Sequence, residues 1–315
     1  MSAGEGGSMH TRNDLVIFAR LAVRGARQHW PTYSHQFAPK KFTQPSLVGC
    51  LCVKEYLRLD YRGLEALLAG AAELRQALEL GAVPDHSTLW WFARHKVRPP
   101  QLQRMLRTTL RLFRVRRRQR HTVAIDATGF SRRYASRYYT ARLGGYWRHT
   151  FLNGSTLIWT QPQVVCAPSV RVGPGSGYRF LRPLVEQTRP LLRIDRLLAD
   201  ADYDSEAHHR WLREACSIES IIPAIRGRPG RPTRQPDRRR MQHWFPRRQY
   251  GQRWMVETVD SVVKRRFGEA LTARRYWLQV KQVFLRSVTY NLYRAMQHWR
   301  LWWQTMTHHV LVAFG

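Results

Sequence analysis

Acidic side chains are scarce in this chain. Its 315 residues hold 21 Asp and Glu against 53 Lys and Arg, a formal net charge of +32. That imbalance favours a polyanionic partner and adds self-repulsion to any compact state. Long apolar runs are missing too. No stretch approaches the ~20 residues that a membrane-spanning helix needs. The opening "MSAGEGGSMHTRND" has no hydrophobic signal core. Nothing argues for export, so the expectation is a cytoplasmic, nucleoid-associated protein without a membrane partner. The four cysteines, Cys50, Cys52, Cys166 and Cys216, form neither a CxxC pair nor a zinc spacing. Buried thiols in a reducing compartment are expected.

What is present is hydrophobic enough for a sizeable core, at 43%, and aromatic at 12%. Arg outnumbers Lys, and Arg forks onto phosphate and stacks on bases. Nucleic acid is the default partner; an anionic membrane surface is the rival.

Texture divides the chain. Residues 1–12 read as disordered, and 13–118 as a helical, DNA-binding region. In "VPDHSTLWWFARHKV", Asp85 or Ser87 is the expected N-cap of a helix. "QLQRMLRTTLRLFRVRRRQRH" puts Arg104, Arg107, Arg111, Arg114 and Arg118 on one stripe, read as a phosphate-facing surface. At residue 121 the pattern changes. "HTVAIDATGF" alternates and is β-branched, a strand with Asp126 on the face opposite Val123 and Ile125. "RHTFLNGSTLIWTQPQVVCAP" reads as two strands about an Asn153-Gly154 turn. "SGYRFLRPLVEQTRPLL" suggests a short helix interrupted by prolines. "IDRLLADADYDS" is a strand ending in acids, "EAHHRWLREACS" a helix, and "IESIIPAI" a strand. The order β, hairpin, α, β, α, β, α is that of a mixed α/β sheet. Between the last strand and a final helix, residues 226–248 hold nine Arg, one acid and four Pro. This reads as a basic loop that orders on nucleic acid, with Arg238, Arg239 and Arg240 as contacts. Residues beyond 268 return to helix, and 299–315 form a tail with no reading.

The final helix, "RRQYGQRWMVETVDSVVKRRFG" from Arg247 to Gly268, carries an odd polar stripe. On a straight helix Tyr250, Arg253, Glu257 and Lys264 point to roughly 0°, 300°, 340° and 320°. Met255, Val256, Val259, Val262, Val263 and Phe267 fall on the other side. Asp260 falls at about 280°, between stripe and back. Three carboxylates stand out: Asp126, Asp200 and Glu257. Brought together they repel unless a cation neutralises them, and a hard, oxygen-preferring ion such as Mg²⁺ suits them. Asp202, two residues on, would share the strand face of Asp200; Asp200 is preferred because it directly follows the apolar Leu197-Leu198-Ala199, and Asp202 reads as a solvent-exposed turn acid.

The spacing Tyr250-x₂-Arg253-x₃-Glu257-x₆-Lys264 resembles the Tyr-Arg-Glu-Lys signature of the DDE insertion-sequence transposases, in the group holding insertion-sequence families four and five. "AIDATGF" resembles the first-Asp strand of that group, and "SRRYASRYYTAR" resembles the stretch just after that strand in some members. "LLADADYDS" resembles the second-Asp motif, and "VPDHSTL" a segment that precedes the catalytic domain. The resemblance covers roughly residues 40 to 295. One departure is Asp202, where the motif has Gly. The resemblance implies a ribonuclease-H-like mixed sheet flanked by helices over 119–298, after the mainly helical N-terminal domain. It implies two Mg²⁺, or Mn²⁺ as substitute, held by Asp126, Asp200 and Glu257. It implies cleavage of transposon ends to a 3′-OH, which then attacks a target phosphate. Arg253 and Lys264 would grip phosphates and Tyr250 would stack or hydrogen-bond near the scissile bond. The implied partners are double-stranded DNA, as element ends and target, and a second copy of the chain. Two rivals stay open: a nuclease or integrase of the same fold that does not transpose, and a domesticated relative that only binds DNA.

Overall fold

The computed structural model describes residues 8–113, 119–131, 151–173, 177–225 and 233–314. Arg114, Arg118 and most of the stretch 131–142 singled out above lie outside them. Residues divide into two compact units, 1–113 with 284–315, and 114–283.

The first unit is helical. It contains α1 (Ser8–Arg27), α2 (Gln44–Leu57), α3 (Tyr61–Gly70), α4 (Ala72–Ala77), α5 (His86–His95) and α6 (Pro99–Leu110). Helix α1 starts at Ser8, inside the stretch expected to be disordered. Its inward residues Phe18, Ala22 and Ala26 are fully buried, as are Leu51, Leu64, Leu89, Leu102 and Met105. Caps are made as the sequence dictates. Thr43 accepts from Ser46 N at the start of α2, and Asp60 accepts from Gly63 N at 2.7 Å at the start of α3. Asp85, rather than Ser87, caps α5, accepting from Ser87 N at 2.7 Å. One buried charge cluster sits inside this unit. Glu55 accepts from Lys54 Nζ at 3.0 Å and from Arg286 Nε at 3.1 Å. With both cations in place its carboxyl is held below its usual range despite burial, which opposes this most strongly.

The second unit holds one five-stranded sheet: β1 (His121–Ser131), β2 (Phe151–Trp159), β3 (Val164–Val172), β4 (Ile194–Leu198) and β5 (Glu219–Ile221), in the order β3-β2-β1-β4-β5. β1, β2 and β3 pair antiparallel; β4 pairs parallel with both β1 and β5. Helices flank it: α7 (Leu181–Thr188), α8 (Glu206–Arg210, continued by a π turn Trp211–Ala215), α9 (Pro236–His243), α10 (Arg247–Tyr250) and α11 (Trp254–Phe267). The last helix, α12 (Tyr276–Phe314), runs on through the tail that had no reading. This is an α/β architecture of the ribonuclease-H-like kind. No helix among the described residues is long and apolar enough to cross a membrane. All four cysteines are buried and free.

Three local expectations are corrected. Asn153-Gly154 is not a turn; both residues lie inside β2, opposite Gly129 and Thr128. The chain reverses at Thr160–Gln163 instead, where Gln163 takes φ 65°. Gly154 is there for space, since a Cβ would sit 3.1 Å from the Phe130 ring and 3.3 Å from Ser169 O. Pro183 does not interrupt α7; it lies in the first turn, where a missing N–H costs nothing. The basic stretch 226–248 is not all loop. Pro236 opens α9, and the Glu206 carboxylate accepts from the N–H groups of Asp237 and Arg238, both at 3.2 Å.

Candidate active site

The parallel pairing of β1 with β4 sets Val123 beside Leu197 and Ala124 beside Leu198. Continuing that register by two residues brings Asp126 level with Asp200. The pairing itself ends at Ala124 and Leu198, just short of both acids, and the two carboxylates are close enough for Asp200 to help raise Asp126. Asp126 accepts from Ala127 N at 2.9 Å. Burial is the main force that pushes its carboxyl up to about 6; Asp200 and Glu257 push the same way, against Arg253. Asp200 is raised as well, by burial first and then by Asp202.

The strand-face argument for Asp202 fails. Ala201–Tyr203 is a 3₁₀ turn capped by Asp200, whose Oδ1 accepts from Asp202 N at 3.1 Å. Asp202 is turned out and exposed. Tyr203 is fully buried, its hydroxyl donating to Ser155 Oγ at 3.3 Å. A Cβ on Gly177 would fall 2.2 Å from that hydroxyl, so only glycine fits beneath it.

The 247–268 segment is not one straight helix. A 3₁₀ turn, Gly251–Arg253, separates α10 from α11. At about 120° per residue such a turn rotates Tyr250 away from its ideal-helix bearing. Tyr250 still belongs to the group: the Arg253 guanidinium lies 5.9 Å from its ring. Arg253 also lies 3.6 Å from Asp126, too far for a hydrogen bond, and is hydrogen-bonded to Glu257. Its Nη1 is buried and has no hydrogen-bond partner among the described residues. Lys264 sits 5.9 Å over the Phe130 ring, at the far end of β1.

Asp260 is buried, on the sheet-facing side of α11 with Val256, Val263 and Phe267. The straight-helix bearing had left it at the edge. Its carboxyl is pushed up to about 8, by burial first and then by Asp126, while Lys264 and a hydrogen bond to Thr156 oppose. Thr156 is the residue paired with Asp126 across β2. The folded chain therefore holds a proton here that the unfolded chain has lost. That stabilisation is complete below the ordinary carboxyl range and is lost as pH rises to about 8. Asp126 contributes with the same sign up to about 6. Metal-free protein should melt progressively lower across that window. Asp260→Asn, which is neutral at every pH, should flatten the part between about 6 and 8 in a melting series and retain activity; an unchanged slope would place the proton elsewhere.

The structure also gives a scaffold role to an acid just beyond Asp200. The Asp204 side chain is fully buried, and its Oδ2 accepts from Ile225 N at 2.8 Å, Arg238 Nε at 2.8 Å and Arg238 Nη2 at 2.7 Å. Arg238 also donates to Gln235. Its guanidinium is thus committed to the scaffold, unlike those of the exposed Arg239 and Arg240. In the helical unit, Arg104 and Arg111 are exposed and Arg107 is half-buried. Arg111 begins a 3₁₀ turn after α6, and together with Arg104 it lowers the His29 pKa, after burial.

A sequence profile described as a transposase DDE domain matches residues 117–292. The chain belongs to the DDE transposase family. No curated protein matches it. Membership makes this transposase a DNA-binding nuclease and strand-transfer enzyme, of a kind that generally uses divalent metal ions. Its residues fit such an ion. Asp126, Asp200 and Glu257 offer only oxygen; Asp126 is raised partly by Asp200 and Glu257, and Asp200 partly by Glu257, a repulsion that a divalent cation would relieve. Their oxygens are not drawn as tight as 4.8 Å; among the described residues only Glu65, Asp85 and His86 form such a trio. Those three are already engaged with one another, His86 Nδ1 lying 2.8 Å from Glu65.

Proposed function

We propose that this transposase cuts the ends of its insertion sequence and joins the freed 3′-OH to target DNA, with Mg²⁺ at Asp126, Asp200 and Glu257. The observation that supports this most is the parallel pairing of β1 and β4, which ends two residues short of Asp126 and Asp200 on both strands, with the Glu257 helix packed on β1 and β2. Two divalent ions bound there supply charge neutralisation for the attacking and leaving oxygens; Mn²⁺ suits the same oxygens. In the first step water attacks the phosphodiester at the element end, and the departing 3′ oxygen takes a proton. In the second, that 3′-OH attacks a target phosphate, one ester bond forming as another breaks. Arg253 and Lys264 grip phosphates beside the scissile bond, and Tyr250 packs near it. Arg104, Arg107, Arg111, Arg239 and Arg240 hold the duplex backbone. Residues 13–118 carry end recognition, 119–298 carry the chemistry, and two copies act on the paired ends.

Incubation with a labelled duplex from the element end and Mg²⁺ tests the reading. Cleavage with strand-transfer products is expected; cleavage alone would leave a nuclease. Asp200→Asn should eliminate both products, and Asp202→Asn should only reduce them. The reverse outcome would move the second metal-binding acid to Asp202.

A further inference from the structure

The outer face of α5 is unusual. Its inner face is ordinary: Leu89 and Phe92 are buried. Outside, Trp90 and Trp91 are 42% and 48% exposed. Adjacent helical residues point about 100° apart, yet these two are joined by a third ring. His95 packs edge-on to Trp90 at 6.4 Å and tilted against Trp91 at 5.0 Å. His95 is held in place by a 3.0 Å contact between its Nδ1 and Trp91 O. The three rings form one patch. Cations border it: the Arg94 guanidinium lies 5.1 Å from the Trp90 ring and the Lys96 ammonium 5.5 Å from the Trp91 ring. Exposed Arg98 follows. No acid occurs between His86 and Arg98.

We infer that this aromatic patch on α5 is a second DNA-contact surface, its cations engaging phosphates and Trp90 and Trp91 packing on deoxyribose and base edges. Charge selects the occupant. A second copy of a chain with net charge +32 would bring like charge against the bordering cations. A duplex brings the opposite charge, and tryptophan offers a large contact area at little entropic cost. The inference rests on the DNA-binding reading, and the test separates the two.

Binding of a fluorescein-labelled duplex is measured by anisotropy over a salt series for the unmodified chain, Trp90→Ala/Trp91→Ala, and Lys96→Ala. Both tryptophans are exposed, so the melting temperature should hold. The double variant should bind about tenfold more weakly, with the salt slope unchanged, because apolar packing on sugars and base edges releases no counterion. Lys96→Ala should reduce the slope by about 0.9, the release of one phosphate contact. Should the double variant melt early, Trp91→Ala and Lys96→Ala carry the test with the same expectations. Unaltered binding in all variants overturns the inference. So does a loss of self-association with DNA affinity intact, which would make the patch a protein interface. If the unmodified chain binds no duplex, the DNA reading itself fails, and this surface with it.

Discussion

Asp126→Asn and Glu257→Gln should each abolish metal-dependent cleavage and leave DNA binding intact or tighter. Both substitutions keep the shape of the side chain and remove the charge that a divalent ion needs. Ion binding at such a site is worth several kcal/mol of transition-state stabilisation. At 1.36 kcal/mol per decade, the loss is about a thousandfold or more in rate. Binding should not suffer, because a carboxylate facing a phosphate repels it. Titration of product against Mg²⁺ concentration at several pH values checks the assignment further. Asp126 is raised to about 6, so below that pH an ion must displace a proton and the Mg²⁺ requirement of the unmodified enzyme should climb. If Glu257→Gln cuts normally while Asp260→Asn is dead, α11 presents a different residue to the metal than proposed.

Asp204→Ala should strongly destabilise the catalytic unit. The carboxylate is fully buried and satisfies the Ile225 N–H and two nitrogens of Arg238. Removing it strands a half-buried guanidinium and a backbone donor. Breaking such a pair from one side costs about 3–5 kcal/mol. Urea unfolding should show this as a lowered midpoint with an unchanged slope. Arg238→Ala should cost comparably through the same contact, while Arg239→Ala, exposed on the same helix, should leave stability alone. Equal stability of all three would mean that the Asp204 contact contributes nothing to the fold.

Much of this was legible in the sequence. The strands announced themselves by β-branched alternation, and the helical half by its periodicity. Asp126 could be read because a polar residue in an otherwise apolar strand is conspicuous. What failed failed for physical reasons. Asn-Gly is a strong local turn signal, but at Asn153-Gly154 a long-range contact, the Phe130 ring against Gly154, overrides it. Helix α9 was hidden because Met241 is its one large apolar residue besides the opening Pro236, so no apolar period showed; its start is fixed by Glu206, about thirty residues away in sequence. The burial of Asp260 could not be read because a straight helix gives bearings but not what the helix packs against. Nothing local to Asp204 in the sequence reveals that its partner is Arg238.

The site also divides its tolerance of length change unevenly. Asp126 lies within β1 and Asp200 just past the end of β4, and the ladder that leads to both is one in which a slip of one residue turns every side chain to the opposite face. The chain through β1 and β4 is therefore intolerant of inserted or deleted residues. Glu257 answers to a different constraint. It arrives on a helix that needs only to return to β1 and β2, and the segment after β5 that delivers it is unpaired with any strand among the described residues. Lengthening there costs little more than the slowly growing entropy of a longer loop. Among relatives of this chain, the interval from first to second aspartate strand should vary outside the strands themselves, and the interval from second aspartate to glutamate should be the one free to absorb whole new segments.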